Sequence, residues 1–90
     1  MPTLKQFRYL DALARERNYA RAAASCRISQ PALSMQIKEL EGELGVALVE
    51  RGRGVFALTA AGNEIVKRAR AILRAPDDLA DLARHPHRPL

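Results

Sequence analysis

The sequence predicts a mainly α-helical fold of the winged helix-turn-helix type: three helices and a two-stranded β wing, followed by a long final helix. Apolar residues repeat at helical spacing through most of the chain. Two helical segments are separated only by Ile28 and Ser29, as in a helix-turn-helix. Short segments containing Val and Phe flank Gly52-Arg53-Gly54, a pattern typical of a β-hairpin.

Length and composition narrow the classes of function. Ninety residues make one domain with a modest core, too small for an enzyme with a deep pocket. Fifteen Lys and Arg residues against ten Asp and Glu give a net charge of +5, which favours a polyanionic partner. The chain has two Phe, two Tyr and no Trp, so it offers few rings on which single-stranded nucleic acid could stack.

The sequence gives little support for a disulfide, a metal site, an active site or a membrane-spanning segment. The single cysteine, Cys26, excludes an internal disulfide and a thiolate zinc cluster, and we interpret it as a small core residue. His85 and His87 lie in a Pro-containing tail and do not indicate a metal site. No residues suggest catalysis, and we expect no cofactor. With no apolar run long enough for a bilayer and no signal-peptide pattern, we expect a soluble cytoplasmic protein.

Two helices are expected before the central one. Thr3 and Gln6 have the spacing of a capping box, which predicts a helix over residues 4–17. Asn18 can cap a second, alanine-rich helix over residues 19–27. The small alanine side chains allow another helix to approach closely.

The third helix is the most clearly marked element. Ser29 is placed as its N-cap, Pro31 lies in its first turn, and Gly45 can end it in a left-handed conformation. Its apolar stripe consists of Leu33, Ile37, Leu40 and Leu44. A second face, roughly 140° away at about 100° per residue, consists of Pro31, Ser34, Met35 and Lys38. Such a helix suits a DNA major groove, although an ordinary surface helix would show the same pattern.

Three glutamates lie near the end of this helix, at Glu39, Glu41 and Glu43. They could suggest acid–base or metal chemistry. Because on a helix they point in different directions, we interpret them as part of a solvated face.

The hairpin is predicted over residues 48–51 and 55–58. Arg51 and Arg53 place two cations at its tip between glycines. They could contact DNA phosphates or the minor groove, or belong to a solvated turn.

Thr59 is expected to cap a long helix that begins at Ala60. If it continues to Arg84, this helix is about 37 Å long, too long for so small a domain to cover. Its uncovered apolar residues therefore predict a partner helix. Pro76 predicts a kink or a break, and residues 85–90 are expected to fray.

Several short motifs together resemble the N-terminal domain of LysR-type transcriptional regulators. These motifs are Arg21-Ala22-Ala23, Ser29-Gln30-Pro31-Ala32-Leu33-Ser34, Gln36-Ile37, Leu40-Glu41, Glu43-Leu44-Gly45 and Leu58-Thr59-x-Ala61-Gly62. Ser25-Cys26 ahead of the second motif is similar to the peroxide-responsive OxyR group of that family. The resemblance implies a winged helix-turn-helix over residues 1–58, a linker helix that forms a dimer over residues 59–90, and a C-terminal effector-binding domain absent from this chain.

The resemblance also implies sites. The predicted base contacts are Gln30, Pro31, Ser34 and Met35, and the predicted DNA-backbone contacts are Ser29, Lys38, Arg21, Arg51, Arg53 and Thr59. The predicted dimer interface contains Ile65, Ala69, Ile72, Leu79 and Leu82. The chain departs from the family pattern at two of these sites. Met35 replaces a common Arg, and Gly54 takes the place of the usual wing Arg, with Arg53 one residue earlier.

These features predict sequence-specific binding of double-stranded operator DNA, an AT-rich inverted repeat, by a homodimer that uses helix 30–44 in the major groove and wing 51–54 near the backbone or minor groove. Any effector would act through the absent domain. The alternative is a protein-interaction module that uses the long apolar helix. Only DNA binding would show a steep dependence on salt.

Overall fold

The computed structural model describes residues 1–52 and 54–85, which contain four helices. They are α1 (Leu4–Glu16), α2 (Tyr19–Ser25), α3 (Gln30–Leu44) and α4 (Ala60–Arg84). Helix α1 packs against the other three, and α2 also packs against α3. The prediction of a mainly helical fold is confirmed.

Local capping sets the ends of the first two helices. The Gln6 N–H donates to Thr3 Oγ1 at 3.1 Å and the Thr3 N–H donates to Gln6 Oε1 at 3.0 Å, which completes the predicted capping box. Helix α1 stops at Glu16 because Arg17 is left-handed, with φ 55°. Helix α2 ends two residues before the predicted boundary, since Arg27 is also left-handed, with φ 59°.

Helix α3 has the predicted bounds. Ser29 Oγ accepts from the Ala32 N–H at 3.2 Å, and Gly45, with φ 71°, closes the last turn by donating to the Glu41 carbonyl at 2.8 Å. The stripe of α3 lies in the core, where the largest fully buried side chains are Leu10, Leu13, Leu33, Ile37, Leu40 and Leu48. Because only this side of α3 packs against the core, its opposite face is exposed to solvent.

The two-stranded wing is not formed, and this prediction is wrong. Within the described part of the segment, pairing is limited to one antiparallel bridge between Val49 and Leu58. The N–H of Leu48, which would lengthen the ladder, donates instead to Glu41 Oε2 at 2.7 Å. In the opposite segment Thr59 is the N-cap of α4, so the pairing cannot extend past Thr59 into that helix. Arg53, in the predicted tip, lies outside the described residues.

Glu41 organises the turn after α3. Its carboxylate accepts from the Leu48 N–H at 2.7 Å, the Val49 N–H at 3.3 Å and the Arg51 guanidinium at 2.7 Å. Its side chain is only 14% exposed. The interpretation of Glu41 as part of a solvated face is therefore wrong, because it satisfies backbone donors that would otherwise be buried without partners.

The start of α4 is fixed to the same turn. The Thr59 hydroxyl accepts from the Gly62 N–H at 2.9 Å and donates to the Ala47 carbonyl at 2.6 Å, while the Thr59 N–H donates to the Leu48 carbonyl at 3.0 Å. Gly62 is buried so close to Leu48 that a Cβ added there would collide with the Leu48 carbonyl oxygen. Only glycine permits this approach.

Helix α4 continues through Pro76 to Arg84, so the chain does not break at Pro76. Val66 and Ala69 are 4% and 1% exposed, and Val66 lies in the same core as α1 and α3. The Arg70 guanidinium donates to Asp11 Oδ1 at 2.6 Å and joins α4 to α1. The first half of α4 is therefore docked on the helical domain. No helix of the described chain is long and apolar enough to cross a membrane.

The glycine at position 62 yields a stability prediction. Gly62→Ala should lower the free energy of unfolding by about 1–3 kcal/mol, because the new methyl group meets backbone that cannot rotate away. Urea denaturation followed by circular dichroism measures this change.

Gly42→Ala is the matched control. Gly42 lies inside α3, and a Cβ there would meet nothing within 4 Å. Because alanine favours the helix, this change should stabilise the protein by about 0.5–1 kcal/mol. Equal effects of the two substitutions would contradict the close approach of α4 to Leu48.

Candidate nucleic-acid interface

The exposed face of α3 is the surface that the sequence predicts to enter the DNA major groove. Pro31 and Lys38 are exposed, Met35 is 59% exposed, and Ser34 is partly exposed. All four point away from the buried stripe. The face is continuous over more than one turn, and Lys38 is the charged residue among these four.

The N-terminal end of α3 is also accessible. Ser29 is exposed, and its Oγ accepts from the Ala32 N–H, so its own hydroxyl hydrogen remains available to an acceptor. Gln30 is exposed beside it. This end therefore presents a hydroxyl donor and an amide that can both donate and accept.

A cleft of about 440 Å³ separates the N-terminal ends of α2 and α3 from the segment that follows Val49. Gln30 and Arg51 both line it, as do Tyr19 and Phe56. The fold thus brings a predicted base contact and a predicted backbone contact to one opening, although they are far apart in sequence.

Phe56 lines this cleft and anchors the segment that follows Val49. The Arg17 guanidinium lies 5.4 Å from the centre of the Phe56 ring and donates to the Phe56 carbonyl at 3.2 Å. The Tyr19 ring meets the Phe56 ring edge-on, at 6.3 Å between centroids and 73° between planes. This cation–π and aromatic contact fixes the segment despite its short pairing. Sequence reasoning missed it, because no local signal links Arg17 to a residue 39 positions away.

Tyr19 lines the cleft and is partly buried. Burial raises the pKa of the Tyr19 phenol, while the nearby Arg51 guanidinium acts in the opposite direction. The phenol therefore stays neutral at physiological pH, and its ring serves as packing surface.

The predicted cations differ in availability. Lys38 and Arg21 are exposed, and within residues 1–52 and 54–85 neither forms an ion pair. The Arg51 guanidinium is paired with Glu41, although its side chain remains 49% exposed. Arg53 lies outside the described residues. Arg51 is thus a fixed cation, held by its ion pair with Glu41.

Thr59 caps α4 as predicted, and its donors are used within the chain. Its hydroxyl and its N–H both donate within the chain, to Ala47 and Leu48. A phosphate contact by either donor would break a bond that holds the start of α4, so the geometry gives Thr59 a structural role.

The predicted apolar stripe runs along α4 from Ile65 to Leu82. Ile72 is 45% and Leu79 is 68% exposed, and Ile65 and Leu82 are partly exposed. Ala69 is 1% exposed, because it faces inward with Val66. Its side chain is not available to a second chain.

In the described part of the chain, no three His, Cys, Asp or Glu side chains gather as a metal site. Cys26 is half-buried and packs against the core. His85 lies 3.9 Å from Asp81, and His87 lies outside the described residues.

Comparison with known proteins agrees with this architecture. A profile described as bacterial regulatory helix-turn-helix protein, lysR family, matches residues 4–63. The DNA-binding transcriptional dual regulator OxyR of Escherichia coli (strain K12) is 46% identical over 80 residues, which cover 89% of this chain and 26% of that protein. The BenM DBD/benA site 1 DNA complex has a TM-score of 0.84 at 33% identity and covers 93% of this chain and 94% of that one.

The RuBisCO operon transcriptional regulator of Allochromatium vinosum is also 46% identical, over 70 residues that cover 78% of this chain and 23% of that protein. Equal identity to two differently named regulators leaves the OxyR-like subgroup a prediction. The chain spans about a quarter of the length of the curated relatives that it matches. These relatives are named as transcriptional regulators, in agreement with the expectation that the chain is not an enzyme. By its matched residues and its fold, the chain belongs to the LysR family of bacterial regulatory helix-turn-helix proteins.

Proposed function

We propose that this chain is the DNA-reading part of a LysR-type transcriptional regulator and binds double-stranded operator DNA in a sequence-specific manner. The observation that carries the proposal is the exposed outer face of α3, gripped by the core on one side and open from its N-terminal end onward. A helix held in this way can enter the major groove, where each base pair presents a distinct pattern of groups. Such a regulator acts in the cytoplasm, where the bacterial chromosome lies.

Base recognition is assigned to the exposed face and first turn of α3. Gln30 can pair its amide with an adenine edge, and Pro31 can contact a thymine methyl. Ser34 and Met35 complete the surface that faces the groove. All four are at least partly exposed, which a base contact requires.

Phosphate contacts are assigned to donors that are free to make them. Ser29 has a spare hydroxyl hydrogen, and Lys38 and Arg21 are exposed cations. Arg51 can reach a phosphate from its fixed position beside the cleft. Arg53 is a further predicted phosphate contact, whereas both donors of Thr59 are used within the chain. Such contacts supply affinity and register but do not read sequence.

The chain is proposed to act as a homodimer through α4, with residues 1–58 reading DNA and residues 59–90 joining the two copies. The exposed stripe of Ile72 and Leu79 supports this assignment, since a soluble monomer seldom leaves such a stripe open. Charge supports it as well. The first half of α4 carries cations such as Lys67 and Arg68, and its second half carries acids such as Asp77 and Asp78. Two copies packed side by side in opposite directions would bring unlike charges together.

The parent protein is proposed to be longer than this chain. The relatives extend well beyond the matched region, so an effector would be bound by a C-terminal domain that lies outside these residues.

Fluorescence anisotropy tests the proposed function directly. The protein is titrated against a duplex with an imperfect AT-rich inverted repeat, and against a scrambled duplex, at about 50 and 200 mM salt. We expect tighter binding to the repeat, with a steep salt dependence for both duplexes. Absence of binding to either duplex at low salt would contradict the proposal and favour a protein partner for α4.

Gln30→Ala should weaken binding to an operator by about 1–3 kcal/mol, because a bidentate base contact is lost. Binding to the scrambled duplex should not change. If both duplexes lose affinity equally, Gln30 does not read a base.

Lys38→Ala should weaken both duplexes alike and reduce the salt slope by about one contact, because only a phosphate contact is lost. Lys67→Ala is the control, since it removes the same charge from an exposed position on α4. A change in sequence preference on Lys38→Ala would contradict this role.

Ile72→Glu should convert the dimer to a monomer, because a buried carboxylate without a partner is strongly unfavourable. Sedimentation velocity at micromolar concentration measures the change. Leu4→Glu is the control, since Leu4 is 51% exposed and Ile72 is 45% exposed, but Leu4 lies on α1. A dimer that persists in Ile72→Glu would exclude this stripe as the interface.

A further inference from the structure

Met35 is an apolar side chain at the most outward point of α3. The buried residues Leu33, Ile37 and Leu40 define the inner side of the helix. At about 100° per residue, Met35 lies almost opposite their mean direction. Its side chain is 59% exposed. A surface that packs against the outer face of α3 therefore contacts Met35.

The surroundings of Met35 extend this apolar point. Pro31 lies one turn earlier on the same side, and it is also exposed. Two turns after Met35 the same side ends at Gly42, which has no side chain to compete for contact and stands in open space. The nearest charged residues, Lys38 and Glu39, lie to either side of the line through Pro31 and Met35.

The chemistry of the major groove restricts what Met35 can contact favourably. Base edges there present hydrogen-bond donors and acceptors, and the C5-methyl group of thymine is the apolar exception. A thioether has no N–H or O–H to donate. Pressed against a base edge without the methyl group, it would remove water from polar atoms and give no hydrogen bond in return.

We propose that Met35 is a specificity-determining residue that selects a thymine in each half-site by burying the C5-methyl group of that base. This inference rests on the proposed function, since it assumes that α3 enters the major groove. It goes further because it names the chemical group, the C5-methyl of thymine, that the centre of α3 recognises. The flexible methionine side chain can follow the methyl group into the groove, while Pro31, fixed in the first turn, contacts a different base step.

The size of the effect follows from the area of one methyl group. Removing one buried methyl group should weaken binding about fourfold in a half-site. In a dimer that contacts two equivalent half-sites, the loss should be about sixteenfold when both are changed, because distant sites act independently.

The test begins by selecting the preferred duplex from a random-sequence pool with the wild-type protein. Each thymine of that duplex is then replaced in turn by deoxyuridine, which lacks only the C5-methyl group. Anisotropy titrations compare the wild type with Met35→Gln, which keeps the side-chain length but is polar, and with Met35→Leu, which stays apolar. Glu39→Gln is the matched control on the neighbouring exposed position of α3.

We expect one thymine per half-site at which deoxyuridine weakens the wild type about fourfold. This penalty should disappear in Met35→Gln and persist in Met35→Leu and Glu39→Gln. Penalties at other thymines, such as one contacted by Pro31, should be the same in all four proteins. Circular dichroism verifies that each variant is folded, as expected for substitutions at exposed positions.

Two results would overturn the inference, and they are distinguishable. If a preferred duplex is selected but deoxyuridine has the same effect on the wild type and on Met35→Gln at every position, α3 reads DNA without a methyl contact by Met35. If the pool yields no preferred duplex, the proposed function itself fails, and the role of Met35 fails with it.

Discussion

The carboxylate of Glu41 is the interaction on which most of this structure depends. It gathers two backbone N–H groups and one guanidinium at 2.7–3.3 Å, while its side chain is only 14% exposed. A charged acceptor in such a site makes stronger hydrogen bonds than a neutral one, and its loss would leave buried donors unsatisfied. Because the carbonyl of Leu48 then receives Thr59, the position of Glu41 on α3 also determines where α4 begins.

The sequence determines the helices of this fold well because their signals are local. Ser29 and Gly45 bound α3 through contacts within a few residues, and the same is true of Thr3 in α1. The wing could not be predicted in the same way. Whether a short hairpin extends its ladder depends on competition for the Leu48 N–H, and the winning acceptor lies seven residues earlier on a helix. Pro76 differs again, since a proline penalises a helix without always ending it.

The candidate site also contains some features with local sequence signals and others that depend on distant contacts. Exposure of Met35 follows from the period of α3, and Gln30 is exposed as the first residue of that helix, so both could be predicted from the sequence. The roles of Arg51 and Thr59 could not, because their partners, Glu41 and Ala47, are ten and twelve residues away. Ala69 fits the spacing of the apolar stripe of α4, but small residues are compatible with either an inner or an outer face. Only the packing of α4 on α1 decides between them.

The docking of α4 on α1 makes the long helix a lever. Its base is held by the Asp11–Arg70 ion pair and by buried Val66 and Ala69, whereas its second half extends free of that packing. A continuous helix of about 37 Å transmits rotation at its base with little loss. A tilt of about 10° at the docking surface would displace the far end by about 4 Å, because about 21 Å of helix lie beyond Arg70. In the proposed dimer, a small change at the Asp11–Arg70 ion pair would therefore alter the distance between the two copies of α3.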